Sequence, residues 1–379
     1  MTPRERVLTA LNHQEPDRVP LFIGPSGATT MLAPGYEKLK AHLGIQGGPP
    51  KWISRTMQYV AMDEEVLVRL GGDARPLVPG PAESSLRKAI SSDCVVDDWG
   101  IRWTRSPGSL YFEATDPPLA HVTIDDLDEY PWPNLTPPGR FDHLVEEAKA
   151  IQSAGYATVL VPGITLFEQA YLMRGLDAIL MDLAADPEFF TALITKLKKL
   201  MMGYVEQLLK DVGRYVDVIV TGDDLGMTSG PMISPESYRR FLKPHHAELF
   251  GAIKQRISGK LFFHSCGDVY RLLCDFVDAG VELLNPVQVA AGDMADTARL
   301  KREFGDRLAF CGAIDTRWAL PRGTTDDVRA EVRRRIRDLA PGGGYVVAAV
   351  HCIQPDVPPE NVLAMCDEVQ KAGRYPISC

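Results

Sequence analysis

From about residue 143 onward the chain repeats one unit: a helical stretch, a short apolar run, then a cluster of polar, glycine or proline residues. Short apolar runs without polar alternation read as strands buried on both faces, and such strands alternating with helices pair in parallel. The runs are clearest at their ends. Residues 157–161 lead into Pro162-Gly163, 216–220 into Thr221-Gly222-Asp223-Asp224, and 261–263 into His264-Ser265-Cys266. Further on, 281–284 precede Asn285-Pro286, 308–310 precede Cys311-Gly312, and 345–350 precede His351-Cys352. Helical stretches at 187–209, 235–257 and 325–339 separate them, the last opened by Gly-Thr-Thr-Asp. Units of this kind in series close most simply into a barrel, so the expected fold class is α/β, a (β/α)8 TIM barrel.

The first 140 residues are less regular and rich in Pro and Gly. They predict an N-terminal helix, a first barrel strand near 20–23, and an inserted β-hairpin lid around Trp99-Gly100-Ile101-Arg102-Trp103. The expectation is one domain over 1–379, with 80–140 as a lid or cap insertion; its 379 residues suit a barrel with elaborated loops.

A formal charge of -9, with no face of clustered Lys and Arg, argues against a nucleic-acid partner. No stretch reaches the roughly 20 apolar residues of a membrane span. The start, Met1-Thr2-Pro3-Arg4-Glu5-Arg6, opens directly on an amphipathic helix, so a cytoplasmic location is expected. Seven cysteines without a regular framework read as reduced thiols or ligands. Of these, Cys94, Cys274, Cys366 and Cys379 read as core or surface thiols.

Barrel enzymes build their sites at the C-terminal ends of the strands, where every polar cluster named above falls. His264 and Cys266, two residues apart, can share one strand face and converge on a metal, with a third ligand from another strand end. His351 and Cys352 supply that second pair; adjacent residues of a strand point to opposite faces, so one of the two is expected to bind. Imidazole and thiolate suit Zn2+, and three protein ligands leave an open, catalytic position. The blander reading is a buried thiol beside a hydrogen-bonded histidine. Cys311 is a reserve ligand or a small core residue. Asp223 and Asp224 are candidates for substrate binding or acid/base work, against simple capping and salt bridging. Glu168 is a candidate fourth ligand or proton carrier, or a carboxylate favoured by a helix start.

At these residues the chain resembles the uroporphyrinogen decarboxylase superfamily, and within it the zinc-dependent methyltransferases that serve corrinoid proteins. The resemblance runs through Arg4-Glu5-Arg6-Val7-Leu8, Pro16-Asp17-Arg18-Val19-Pro20, Gly222-Asp223-Asp224-Leu225-Gly226, His264-Ser265-Cys266-Gly267-Asp268, Asn285-Pro286-Val287-Gln288 and Gln354-Pro355-Asp356-Val357-Pro358. The decarboxylase would carry arginines after its first strand, where this chain has Phe22-Ile23-Gly24-Pro25-Ser26-Gly27. The methyltransferase branch carries His-x-Cys and a later Cys as zinc ligands. His264 and Cys266 match the first two, while the position of the later Cys falls at His351, one residue before Cys352.

The resemblance implies transfer of a methyl group from a small methylated donor, foremost an aryl methyl ether, to a corrinoid (cobalamin) carried on a separate protein, that is, O-demethylation. Aromatic lid residues Trp99, Trp103, Tyr111 and Phe112 would suit such a donor, or are packing. The alternatives are a metal-independent decarboxylase or lyase that acts on a compound other than uroporphyrinogen through Asp223 or Asp224, and a thiol or folate methyltransferase. A homodimer is left open.

Overall fold

The computed structural model describes residues 1–46, 48 and 50–378; Cys379 lies outside them. Seven parallel strands form one continuous sheet in the order Tyr345–Ala349, Ala309–Ile314, Leu283–Val287, Lys260–His264, Val218–Gly222, Ala157–Ile164 and Ala74–Leu77. The segment 20–23 bridges the two edges. Phe22 N donates to Val347 O at 2.9 Å, Val347 N donates to Pro20 O at 2.9 Å, and Asp73 N donates to Leu21 O at 3.0 Å. Leu21 N donates instead to the Asp73 carboxylate, at 2.8 Å. A side chain thus replaces part of the backbone ladder, and this eighth stave is extended chain rather than a regular strand. The expected barrel is present.

Each strand divides its side chains between two cores, as a period of two requires. Phe22, Ala74, Ala157, Val159, Val218, Phe262, Leu283, Ala309, Cys311, Val346 and Ala348 fill the barrel interior. Their neighbours Leu160, Ile219, Leu261, Phe263, Leu284, Phe310 and Val347 face outward and join the larger core under the helices. Cys311 is a fully buried member of the inner layer, so the small-residue reading describes its setting. Cys366 is buried and Cys274 exposed, while Cys94 lies half-buried in the inserted segment.

The N-terminal helix Pro3–Leu11 closes the lower mouth with Val7 and Leu11. Charge pairs fasten it to residues just before two strands. Arg6 donates to Asp73 at 2.7 Å and to Asp17 at 2.7 and 2.8 Å, Arg18 donates to Asp73 at 2.8 and 2.9 Å, and Arg4 donates to Asp217 at 2.9 Å.

Two expectations need correcting, and one strand lies beyond them. The strand Ala74–Leu77 was not anticipated, because Arg75 and Pro76 interrupt its apolar run. The single helix expected over 235–257 is two, Pro235–Phe241 and Lys243–Lys254; Pro244 has no N–H to continue the first. The inserted segment is not one hairpin but a four-stranded antiparallel meander of Lys88–Ser91, Cys94–Val96, Arg102–Thr104 and Glu113–Thr115. Its turn at 97–101 is organised by Asp97, which accepts Trp99 N and Ile101 N at 2.9 Å and Trp103 Nε1 at 2.8 Å. No helix among the described residues is long and apolar enough to cross a membrane.

Candidate metal centre

His264 is the last residue of its strand, and Cys266 lies beyond it in the following loop. The pair therefore meets through a turn rather than through the strand's pleat. Gly267, at φ +89°, reverses the chain there, and a Cβ on it would stand 2.3 Å from the carbonyl carbon of Gly226. A Cβ on Gly226 would in turn stand 2.5 Å from Cys266 O. The loops 222–227 and 264–268 thus pass backbone to backbone, which only glycine permits. Asp224 ties them together by accepting Cys266 N at 2.8 Å, while Gln288 accepts Gly267 N at 2.7 Å.

The ligand atoms of His264, Cys266 and His351 all lie within 4.8 Å of one another. His264 Nε2 and Cys266 Sγ are 3.3 Å apart, close to the spacing of about 3.6 Å that tetrahedral zinc with ordinary Zn–N and Zn–S bonds imposes. His264 Nδ1 faces Asn285 Oδ1 at 2.6 Å, while Asn285 Nδ2 donates to Cys311 O at 3.1 Å. With its amide so oriented, Asn285 accepts the proton of Nδ1 and leaves the Nε2 lone pair facing the cluster, as a ligating imidazole needs. Two imidazoles and one thiol form a donor set that fits zinc.

His351 and Cys352 follow the strand Tyr345–Ala349 in a bend, so the expectation that they lie on opposite faces of a strand does not apply. Among the described residues the grouping contains His351 and not Cys352. Cys352 Sγ stands 3.0 Å from His351 Nδ1 and also meets Gln354 Nε2 at 3.3 Å and the Tyr59 hydroxyl. Gln354 accepts a hydrogen bond from the hydroxyl of Tyr111, which follows the strand Arg102–Thr104. Trp99 and Trp103 do not share that role: Trp99 packs edge-on to Trp132 and Trp103 is bound to Asp97, within the inserted segment itself. Phe112 lies under the Arg105 guanidinium.

The carboxylates of the site differ in their surroundings. Asp223 is 1% exposed and fully engaged by Leu166 N, Glu168 N at 2.7 Å and His246 Nε2 at 2.7 Å. Its geometry is that of an anchor. Asp224 is a third exposed and stands 3.8 Å from His264 Nε2. Glu168, on the first turn of the helix Phe167–Arg174, has its acid range lifted to about 8 by burial, then by the charges of Asp224 and Asp223. Tyr171, one turn on, is pushed up by burial and by Glu168 and the same aspartates. The Cys266 thiol is pushed up by burial and by Asp224 and Glu168. His351 is pulled down to about 4 by burial and by His264, and Cys352 is pushed up to about 12 by burial. Most of these shifts keep an acid protonated beside negative charge, and a dication at the centre would reverse them.

The sequence reading did not single out Tyr59, Tyr171, Tyr238 or His246. Tyr171 had a signal, since it lies three residues after Glu168 on one helix and so shares its face. Tyr59 and His246 arrive from distant segments and had none.

The family model described as Uroporphyrinogen decarboxylase (URO-D) matches residues 111–372, well over half of the chain. The chain belongs to the uroporphyrinogen decarboxylase family. Relatives in this family carry different names. A methylcobamide:CoM methyltransferase MtaA of Methanosarcina barkeri is 33% identical over 150 residues, 39% of this chain and 40% of its own length. A uroporphyrinogen decarboxylase of Thioalkalivibrio sulfidiphilus is 28% identical over 151 residues, 38% of this chain and 40% of its own length. The chain thus spans about two fifths to one half of the length of the curated relatives it matches. A solved methyltransferase from Methanosarcina mazei superposes with a TM-score of 0.66 over 98% of this chain and 99% of its own, at 20% identity, and shows the shared fold.

Proposed function

We propose that this member of the uroporphyrinogen decarboxylase family is a zinc-dependent methyltransferase that moves a methyl group from an aryl methyl ether to a corrinoid protein. The observation that carries the reading is the convergence of His264, Cys266 and His351 at the barrel mouth. These three residues would hold the metal, with Cys266 as thiolate, His264 oriented by Asn285, and Cys352 left as the neighbour of His351. With one anionic and two neutral ligands, the site would leave a bound zinc one net positive charge, and the metal would supply Lewis acidity toward a neutral ether oxygen.

The protein's own groups complete the reaction. Glu168, which burial and the charges of Asp224 and Asp223 hold protonated in the metal-free site, would be the group placed to give a proton to the departing phenolate oxygen. Tyr171 lies on the same helix face beside it. Asp224 holds the Cys266 loop, and Tyr111 with Gln354 closes the lid side of the mouth. The relative named as a methylcobamide methyltransferase supports methyl transfer over decarboxylation. So does the first-strand segment 22–27, which offers a polyanionic tetrapyrrole no cation.

The test is to incubate the zinc-loaded protein with cob(I)alamin, standing in for the corrinoid partner, and a methoxybenzene carrying a labelled methyl group. Methylcobalamin and free phenol in equal amounts, lost in Cys266→Ala, are expected. Release of carbon dioxide from a carboxylated substrate without metal, and no methyl transfer, would instead establish the decarboxylase alternative.

A further inference from the structure

Behind the metal cluster runs a buried polar chain that the reaction above leaves unused. The Tyr238 hydroxyl lies 3.0 Å from His246 Nδ1, and His246 Nε2 lies 2.7 Å from Asp223 Oδ2. Tyr238, His246 and Asp223 are each no more than 1% exposed. Asp223 Oδ1 accepts Glu168 N at 2.7 Å, and both of its oxygens accept Leu166 N, at 3.0 and 3.1 Å. The helix Phe167–Arg174 has no cap from its own flanking residue Leu166, so a carboxylate from another strand end caps it instead.

A carboxylate buried this deeply is costly unless its remaining lone pairs are met by strong donors. His246 supplies that donor, and its ring cannot turn away. It stacks on Phe250 at 5.1 Å and 11° and packs edge-on against Phe263 at 5.5 Å. Burial pushes the Tyr238 hydroxyl up, which keeps its proton available for Nδ1. The direction of donation is then fixed along the whole chain: Tyr238 to His246, His246 to Asp223, with Asp223 accepting the helix start.

We propose that His246 is a positioning residue: through Asp223 it fixes the first turn of the helix Phe167–Arg174, and so sets where Glu168 and Tyr171 stand over the metal cluster. This rests on the reading of Glu168 and Tyr171 as the substrate-facing groups of a methyltransferase. A purely structural His246 would affect stability alone.

The experiment uses the full-length zinc-loaded protein with His246→Phe, His246→Gln and Tyr238→Phe. The infrared band of the Glu168 carboxyl is identified as the one that Glu168→Gln removes. In His246→Phe that band is expected to shift while zinc per chain stays unchanged. For transfer from a methoxybenzene to cob(I)alamin, kcat is expected to fall at least about tenfold with KM nearly constant, as a displaced catalytic group requires. Tyr238→Phe should move both readouts in the same direction by less, and His246→Gln, which keeps an N–H donor, should recover part of the loss.

A Glu168 band that stays in place in folded His246→Phe overturns the proposal, as does a loss confined to the thermal midpoint. If His246→Phe does not fold, Tyr238→Phe carries the same two readouts. A wild-type protein without methyl transfer, but with a Glu168 band that His246→Phe moves, would refute the methyltransferase reading and leave the positioning role standing.

Discussion

Asn285 illustrates how much one neutral side chain can decide at the residue scale. Its amide sits between His264 Nδ1 and Cys311 O, which selects the imidazole tautomer that faces the cluster. Asn285→Ala should leave the barrel intact and weaken zinc by about 10–100-fold, as lost support behind a ligand does elsewhere; competition with a chelator measures it. Glu168 gives a second prediction. Infrared titration of the metal-free protein should find its carboxyl midpoint at about 8, protonated below and ionised above. Zinc should lower that midpoint, because a nearby cation favours the carboxylate. That His264 and Cys266 follow one strand and His351 another was legible in the chain, and the ligand atoms of these three lie within 4.8 Å of one another; Glu168 stands instead on the first turn of a helix. The choice between His351 and Cys352 was not legible, because it depends on a bend beyond the strand rather than on strand alternation.

Two loops that touch through their backbones shape the site at the scale of elements. Gly267→Ala would combine a left-handed φ with a Cβ driven into Gly226, and neither contact can yield without moving Cys266. A stability loss of about 1–3 kcal/mol is expected, together with weakened zinc uptake, measured by denaturant unfolding and metal titration. The elements themselves were readable where their pattern was pure. The strands Val218–Gly222 and Lys260–His264 announce themselves by unbroken apolar runs. The strand Ala74–Leu77 does not, since Pro76 and Arg75 belong to no strand pattern and pairing with 157–160 decides the matter. The inserted segment's four strands are short and half-exposed, so local sequence showed a turn at 97–101 but not how many strands surround it.

The barrel as a whole is closed below by a charged helix, and His264, Cys266 and His351 converge at its upper end. Arg6 and Asp73 are 9% and 1% exposed, so Asp73→Ala removes the buried carboxylate that Arg6 shares with Arg18 and leaves Arg6 only the more exposed Asp17. That should cost about 1–3 kcal/mol, read as a fall in the denaturation midpoint. The same fastening predicts an acid limb. The Arg6 guanidinium holds the Asp17 carboxyl down at about 2. A depressed carboxyl stabilises the fold above its unfolded range and loses that stability as pH falls toward its folded value. Asp17 should therefore contribute to a decline in stability between about pH 4 and pH 2, and Asp17→Asn should flatten it. The closure of the barrel by 20–23 was foreseen from the chain, but not its dependence on the Asp73 side chain, which only the folded neighbourhood reveals.

Metal content of the purified full-length chain, with four variants beside it, tests the central claim most directly. The account predicts about one zinc per chain, lost in His264→Ala, Cys266→Ala and His351→Ala and retained in Cys352→Ala. A protein prepared without chelators that neither contains nor takes up zinc, or one whose zinc survives Cys266→Ala, would contradict it.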